Sequence, residues 1–375
     1  MKKLERLNIK LKKNIENAIK FIFNLFDSTI KKKSFIVFSS RAAKDYADNS
    51  KELFEYFLSK GANNVYFYTK KKSVLKKIPK NGIYAYSLRG VYILAKSKIL
   101  IFTHGNGDFF PYYPPKRSNR IFINLFHAIA VKKVSHNNIP SKIKEIKSWD
   151  YFSVSSDFEA EFMKENYSLA DHQIIVTGQP RNDILFKYNT SKKANDTKLI
   201  LYAPTFRDKS ITRLFPFDDI DYKALDDFLG KNNMKIMIRL HINEERIYKK
   251  SDEFQQLKNI FFAGSDIYPD VNAILPKIDA LITDYSSIAL DYLILDRPIA
   301  YIPYDYDIYN KERGFSFDYH KYRAGPVISS QKDLINFLKF ETDDYKLQRD
   351  KLKKLFHKFR DGRASERLYN LINNL

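Results

Sequence analysis

The chain has 375 residues, 44% of them hydrophobic with 30 Phe and 26 Tyr, which excludes a disordered polar tail and leaves room for two α/β domains of ordinary size. It contains no cysteine, so disulfides and thiolate metal sites are excluded, as suits a cytosolic protein. The formal net charge of +21 predicts attraction to polyanions, nucleic acid or an anionic membrane surface, unless lysine is simply the default surface residue here.

Residues 1–33 stand apart. Leu4, Leu7, Leu11, Ile15, Ile19, Ile22 and Phe26 recur at spacings of three and four and form one apolar stripe on a helix. Lys2, Lys3, Arg6, Lys10, Lys12, Lys13 and Lys20 crowd the rest, and Lys31–Lys33 close the segment. A basic amphipathic helix of this kind lies in the headgroup region of a membrane, or else packs on its own domain with a solvated basic face. No apolar run of about 18 residues occurs, so no membrane-spanning helix is expected, and no signal peptide is visible.

From Ser34 onward, strands and helices alternate. Ser34–Ser40, Asn64–Thr69, Ile99–Thr103, Ile121–Phe126, Tyr151–Ser155 and Ile174–Thr177 read as buried strands, with a helix over Ser50–Lys60. A polar segment, Asn189–Lys198, is the candidate linker. Leu199–Ala203, Lys235–Leu240, Ile260–Ala263, Ala280–Thr283 and Pro298–Ile302 form a second set, and residues 331–375 read as charged helix. The rhythm predicts an α/β chain with two Rossmann-like domains, 34–188 and 189–345, facing across a cleft, preceded by the basic helix and followed by a helical segment, 346–375. Ligands of such sheets sit beyond the carboxyl ends of the strands.

Distinctive residues collect at those ends: His104, His127, Gly178–Asp183, Pro204–Asp208, Arg239 with His241, and Asp284–Ser287. The stretch Asp279–Pro298 reads as strand, turn and amphipathic helix, so that Ser286 and Ser287 open the helix where backbone N–H groups and the dipole favour a phosphate. His104-Gly-Asn-Gly-Asp108 is too short for a nucleotide loop and reads as a flexible loop on the acceptor side. Neither a Walker loop nor HExxH nor an intact GxGxxG occurs.

These segments bring out a likeness. Tyr46-Ala-Asp-Asn49, Ile123-Asn-Leu-Phe-His127 with Lys132-Lys133, Gly178-Gln-Pro-Arg-Asn-Asp183, Leu201-Tyr-Ala-Pro-Thr-Phe-Arg-Asp208, Arg239-Leu-His241, Leu281-Ile-Thr-Asp-Tyr-Ser-Ser287, Arg297-Pro298 and Arg313-Gly-Phe-Ser-Phe-Asp318 appear in order over about residues 34–330. The chain resembles the CDP-glycerol glycerophosphotransferase family, the teichoic-acid primases and polymerases. It departs from that family at Phe126-His127-Ala128, where Trp-His-Gly is usual.

The resemblance implies a GT-B-like fold and transfer of glycerol phosphate from CDP-glycerol to a hydroxyl, with CMP leaving. It implies His127 as general base, and His241 with Arg239 at the donor pyrophosphate. Ser286, Ser287, Arg313, Thr205, Arg207 and Asp284 are the further donor-binding candidates. Lys132, Arg181, Asn182 and Asp183 are acceptor-side or interdomain candidates. Capping remains open for Asp284, as do interdomain salt bridges for Arg181–Asp183 and Arg207–Asp208. Asp305-Tyr-Asp307 resembles an Asp-x-Asp metal motif of another fold, and no metal or other cofactor is expected. The implied acceptor is a lipid-linked glycan or surface polysaccharide at the cytoplasmic face of an anionic membrane, with no nucleic-acid partner. A nucleotide-sugar transferase, a CDP-ribitol enzyme and a non-catalytic polyanion-binding protein are the rival readings.

Overall fold

The computed structural model describes residues 2–117, 119–133, 139–187, 197–207, 209–240, 242–264, 267–268 and 270–375, with side chains from Asn14 onward except at residues 242 and 243. The first sheet holds β1 (Lys33–Phe38), β2 (Val65–Thr69), β3 (Gly82–Tyr84), β4 (Ser97–Phe102), β5 (Ile121–Asn124), β6 (Tyr151–Val154) and β7 (Ile174–Val176). Its strand order is β3-β2-β1-β4-β5-β6-β7. The second holds β8 (Lys198–Tyr202), β9 (Met234–Ile238), β10 (Ile260–Phe262), β11 (Ala280–Thr283) and β12 (Ile299–Tyr301), in the order β10-β9-β8-β11-β12. Every pairing is parallel.

The central strands are continuous apolar runs because helices cover both faces. Leu100 lies opposite Val37 and Phe122, and Leu281 opposite Leu201. One face of the first sheet is sealed by Phe38, Phe54, Phe57 and Phe67, with Phe38 and Phe54 edge to face at 5.5 Å. Two Rossmann-like parallel sheets are therefore present, as the alternation predicts. β3 escaped prediction because it is a three-residue edge strand with one buried side chain, Ile83.

The N-terminal helix spans Lys2–Thr29. Its last turns are held to the first domain by Phe23, packed on Tyr112 at 4.9 Å, and by the buried Asp27. That carboxylate accepts from Arg120 Nη2 (2.6 Å), Arg117 Nε (2.8 Å) and Lys32 Nζ (2.9 Å). Ile19 is partly covered, whereas Ile15, Ile22 and Phe26 of the expected stripe are exposed, together with Phe21 and Leu25. The side chains of Leu4, Leu7 and Leu11 lie outside the described set, as do residues 189–196 of the candidate linker.

Residues 331–375 form three helices, Gln331–Lys339, Lys346–Phe356 and Ala364–Asn373. Leu334 and Leu338 pack on the second sheet, but Leu368 and Ile372 return to the first. Asp183 caps that last helix, its carboxylate accepting from the N–H groups of Ala364 (2.8 Å) and Ser365 (2.9 Å). Asp183 thus serves the fold.

Candidate active site

Residues that leave β4, β5 and β11 at their carboxyl ends line one cavity of about 530 Å³. Thr103, His104, His127 and Lys132 form the first-domain wall, and Tyr285, Ser286 and Ser287 the opposite one.

His127 owes its place to a forced exit from β5. Phe126 adopts a left-handed φ of 51°, which strains a bulky residue and persists only where neighbours impose it. Asn124 Oδ1 accepts from Phe126 N–H (2.8 Å), and Asn49 Nδ2 donates to the carbonyls of Phe126 (2.9 Å) and Leu125 (3.2 Å). Ala128 is not among the left-handed residues, so the lost glycine causes no strain there.

The His127 Nδ1 lies 3.4 Å from the Thr103 carbonyl. A carbonyl only accepts, so Nδ1 carries the proton and Nε2 keeps its lone pair. Removal from bulk water, the adjacent His104 and the Arg181 charge push the His127 imidazole down to about 3, against Asp48 and the Thr103 carbonyl. His104 is pushed down to about 4, mainly by the surrounding protein, with Arg41 and Arg181 adding to it and Asp48 opposing. Both rings open onto the cavity, His127 half-buried and His104 exposed to solvent, and both are neutral at pH 7.

An unfolded chain protonates these imidazoles near pH ~6.5. Because their folded values are depressed, the fold keeps its full stability above that pH and loses it as pH falls toward 4, where only the unfolded chain binds the protons. His104→Phe is expected to flatten the acid limb of Tm against pH. Equal losses in variant and wild type between pH 7 and 5 would contradict this.

The loop after His104 is pinned, not flexible. Buried Asp108 accepts from the N–H groups of Thr103 (2.9 Å), His104 (3.0 Å) and Ala42 (2.6 Å), and Glu145 Oε1 accepts from Asn106 N–H (2.6 Å). Gly105, at φ 113°, is required, since a Cβ there would lie 2.3 Å from Glu145 Oε1.

Ser286 and Ser287 stand half-buried at the cavity wall. The helix they open, Ile288–Tyr292, is short and buried along its whole length, and the chain turns away at Asp296 with φ 51°. It is not the amphipathic helix expected. Ser287 makes no side-chain capping bond, and Ser286 Oγ takes a long one, 3.4 Å, from Ile288 N–H. Both serines line the cavity.

Three expected donor contacts lie beneath that wall. Asp284 is buried, with Oδ1 accepting from the N–H groups of Thr205 (2.8 Å) and Tyr285 (2.6 Å), and Oδ2 from Arg207 Nη2 (2.9 Å). Arg207 also donates to the Thr205 carbonyl and to both oxygens of Asp305 (2.7 and 2.8 Å). Its guanidinium lies 5.1 Å from the rings of Tyr285 and Tyr309 and 5.2 Å from that of Tyr304. Arg207 and Asp284 therefore brace the Ser-Ser turn from below instead of facing the cavity, because their polar atoms are spent on one another and on the Thr205 backbone, whereas the Thr205 hydroxyl is buried without a partner. Asp305 is engaged in the same way.

Arg239 donates to the carbonyls of Ala263 (3.2 Å) and Tyr268 (2.7 Å) at the end of β10. Arg313 is exposed at the end of the helix Tyr306–Glu312 and does not line the cavity. Beyond it, Gly314 turns with φ 67°, and Phe315 bridges to Lys132 across the domains. Lys133 N–H donates to the Gly314 carbonyl (3.1 Å) and Ser316 N–H to that of Val131 (2.9 Å). This crossing strand fixes Lys132 in the wall. His241 and Asp208 lie outside the described residues.

A clasp that sequence reasoning only half saw joins the lobes. Arg181 Nη2 donates to Asp291 Oδ2 (2.8 Å) and Nη1 to Asp48 Oδ1 (3.2 Å) and to the His127 carbonyl. Asn182 Nδ2 donates to Asp291 Oδ1 (2.7 Å) and Asn272 Nδ2 to Asn182 Oδ1 (2.8 Å). Arg181 and Asn182 are thus interdomain residues. Asp291 and Asn272 were missed, although Asp291 follows Ser287 by one helical turn.

The family model for CDP-glycerol:poly(glycerophosphate) glycerophosphotransferases matches residues 20–374. The chain belongs to this family. Among its relatives, the Staphylococcus aureus teichoic acid glycerol-phosphate transferase is 29% identical over 395 residues, covering 96% of this chain and 98% of the relative. The Bacillus subtilis teichoic acid poly(glycerol phosphate) polymerase is 26% identical over 407 residues, and this chain spans 52% of its length. In fold, the chain is similar to the wall teichoic acid polymerase TagF, with a TM-score of 0.79 at 24% identity over 100% of this chain and 98% of that one. A UDP-N-acetylglucosamine 2-epimerase from Listeria monocytogenes follows at a TM-score of 0.53 and 14% identity, over 91% and 96%. This glycerophosphotransferase thus shares its fold with both.

Proposed function

We propose that this enzyme moves glycerol phosphate from CDP-glycerol to a hydroxyl of a membrane-linked or polysaccharide acceptor, in teichoic-acid-like synthesis. The observation that carries the reading is the unprotonated Nε2 of His127 on the same cavity as the Ser286 and Ser287 hydroxyls. The acceptor oxygen attacks the phosphorus that bears glycerol, its proton passes to His127 Nε2, and the bond from that phosphorus to CMP breaks. Ser286, Ser287 and Lys132, which line the cavity, meet the phosphate charge. An anion in the crevice offsets the Arg181 charge, so it raises the basicity of His127 when the base is needed. This arrangement is that of a GT-B-like enzyme whose cationic side chains do the work of a metal.

The test is a donor panel. Purified enzyme with a lipid-linked glycan acceptor is given CDP-glycerol, CDP-ribitol or UDP-sugars, and nucleotide release and product mass are followed. CMP release with a product heavier by one or more glycerol phosphates is expected. UDP release, or turnover with CDP-ribitol alone, would sink it.

The N-terminal helix is proposed to hold the enzyme peripherally on the cytoplasmic face of an anionic membrane. Support comes from Ile15 and Ile22, which remain 53% and 65% exposed beside a lysine-rich flank. Deleting the whole helix would expose the partners of Asp27, so point changes are the cleaner test. Ile15→Glu with Ile22→Glu is expected to lower co-sedimentation with anionic vesicles at least about tenfold with thermal stability retained. Undiminished vesicle binding would refute the anchor.

A further inference from the structure

β4 and β5 are neighbours, with Phe102 opposite Asn124, so the residues that leave them emerge side by side. His104 and His127 stack face to face, with ring centroids 4.0 Å apart and planes 11° from parallel. The His104 ring is fixed from behind. Its Nδ1 is 2.8 Å from Thr103 Oγ1, which is 3.3 Å from Asp108 Oδ2. Three backbone N–H groups already converge on the Asp108 carboxylate, so it accepts from the threonine hydroxyl too. The hydroxyl oxygen then accepts from His104 Nδ1–H. Both imidazoles are thereby held in the same tautomer, with Nδ1 toward Thr103 and Nε2 away from it, on the cavity side.

We propose that His104 is a positioning residue for the transfer: its stacked ring, anchored by Thr103 and Asp108, holds His127 edge-on to the acceptor hydroxyl as a neutral, Nδ1-protonated base. The proposal rests on His127 being that base. A proton on either ring places a positive charge against the other, so the pair takes up one proton at most over the working range. Other charges bear on it from several elements. Asp48 favours protonation of both rings, Arg181 opposes it on both, and Arg41 opposes it on His104. Asp108 lies behind Thr103, while Lys132, Lys142 and Glu145 line the remaining wall.

The experiment compares His104→Ala, which removes ring and charge, with His104→Phe, which keeps a stacking face and cannot titrate. Turnover of CDP-glycerol is measured against pH, and histidine titration is followed by NMR in the substrate-free enzyme. His104→Ala should lower kcat about 10- to 100-fold with KM for CDP-glycerol unchanged. His104→Phe should restore most of kcat, and its His127 resonance should titrate at a higher pH than in the wild type. A His104→Phe enzyme as slow as His104→Ala would overturn the proposal, since a ring nitrogen of His104 would then touch the acceptor itself. Wild-type kcat in His104→Ala with an unmoved His127 titration would overturn it as well. Wild-type turnover in His127→Ala, by contrast, would remove the base and the proposal together.

Discussion

His127→Ala is expected to lower CMP release about 10²- to 10⁴-fold while binding of CDP-glycerol persists. Its imidazole is the group on the cavity wall whose free Nε2 is fixed by a backbone contact at Nδ1. Nothing in the clasp depends on that ring, because Arg181 holds the His127 carbonyl and not its side chain. The variant should therefore fold and retain donor affinity, measurable by calorimetry with CDP-glycerol in the absence of acceptor. His127→Asn should behave alike, since an amide accepts no proton at neutral pH. Turnover within about threefold of wild type would place the base elsewhere.

The second large effect concerns stability. Asp291→Ala leaves the buried Arg181 guanidinium with Asp48 as its one remaining carboxylate and strips Asn182 of its acceptor. Breaking a buried ion pair on one side typically costs about 3–5 kcal/mol, because the remaining charge stays desolvated. At about 2–4 °C per kcal/mol, the midpoint of thermal unfolding should drop by roughly 10 °C. The Arg181→Ala, Asp291→Ala double variant should lose less than the sum of the singles, since the two partners go together and Asp48 alone is left, still facing Arg41 at 3.6 Å. Lys358 and Asp157 pair at 2.9 Å on the surface, and Asp157→Ala should leave the midpoint unchanged. Matching small shifts in both cases would show that the clasp does not hold the lobes.

The strands were legible because parallel sheets bury both faces of their central members, so Ile99–Thr103 or Ala280–Thr283 stand out as unbroken apolar runs. Edge strand β3 offers no such run. The ends of those strands located the cavity residues His104, His127, Ser286 and Ser287. What sequence does not reveal is which way a charged strand-end residue turns. Asp284, Arg207 and Asp305 satisfy one another below the Ser-Ser turn, and only packing decides that. Asp291 drew no notice, because a charged residue inside an expected amphipathic helix carries no sign that it is buried. In a helix this short and buried, every side points inward, and its carboxylate meets Arg181. The His104 stack was hidden for another reason: a long sequence separation is closed only by the adjacency of β4 and β5. The destination of the last helix was equally hidden, because Leu368 and Ile372 mark an apolar face without naming the sheet that receives it.

The central claim is that the crevice between the two sheets holds a CDP-alditol with the glycerol-bearing phosphate between the Ser-Ser turn and the His127 imidazole. The most direct measurement is a crystal structure of His127→Asn with CDP-glycerol bound. The account predicts that phosphate within hydrogen-bond reach of Ser286 and Ser287, with the introduced amide on the acceptor side of the same cavity. A well-ordered nucleotide whose phosphates lie away from both walls would contradict it.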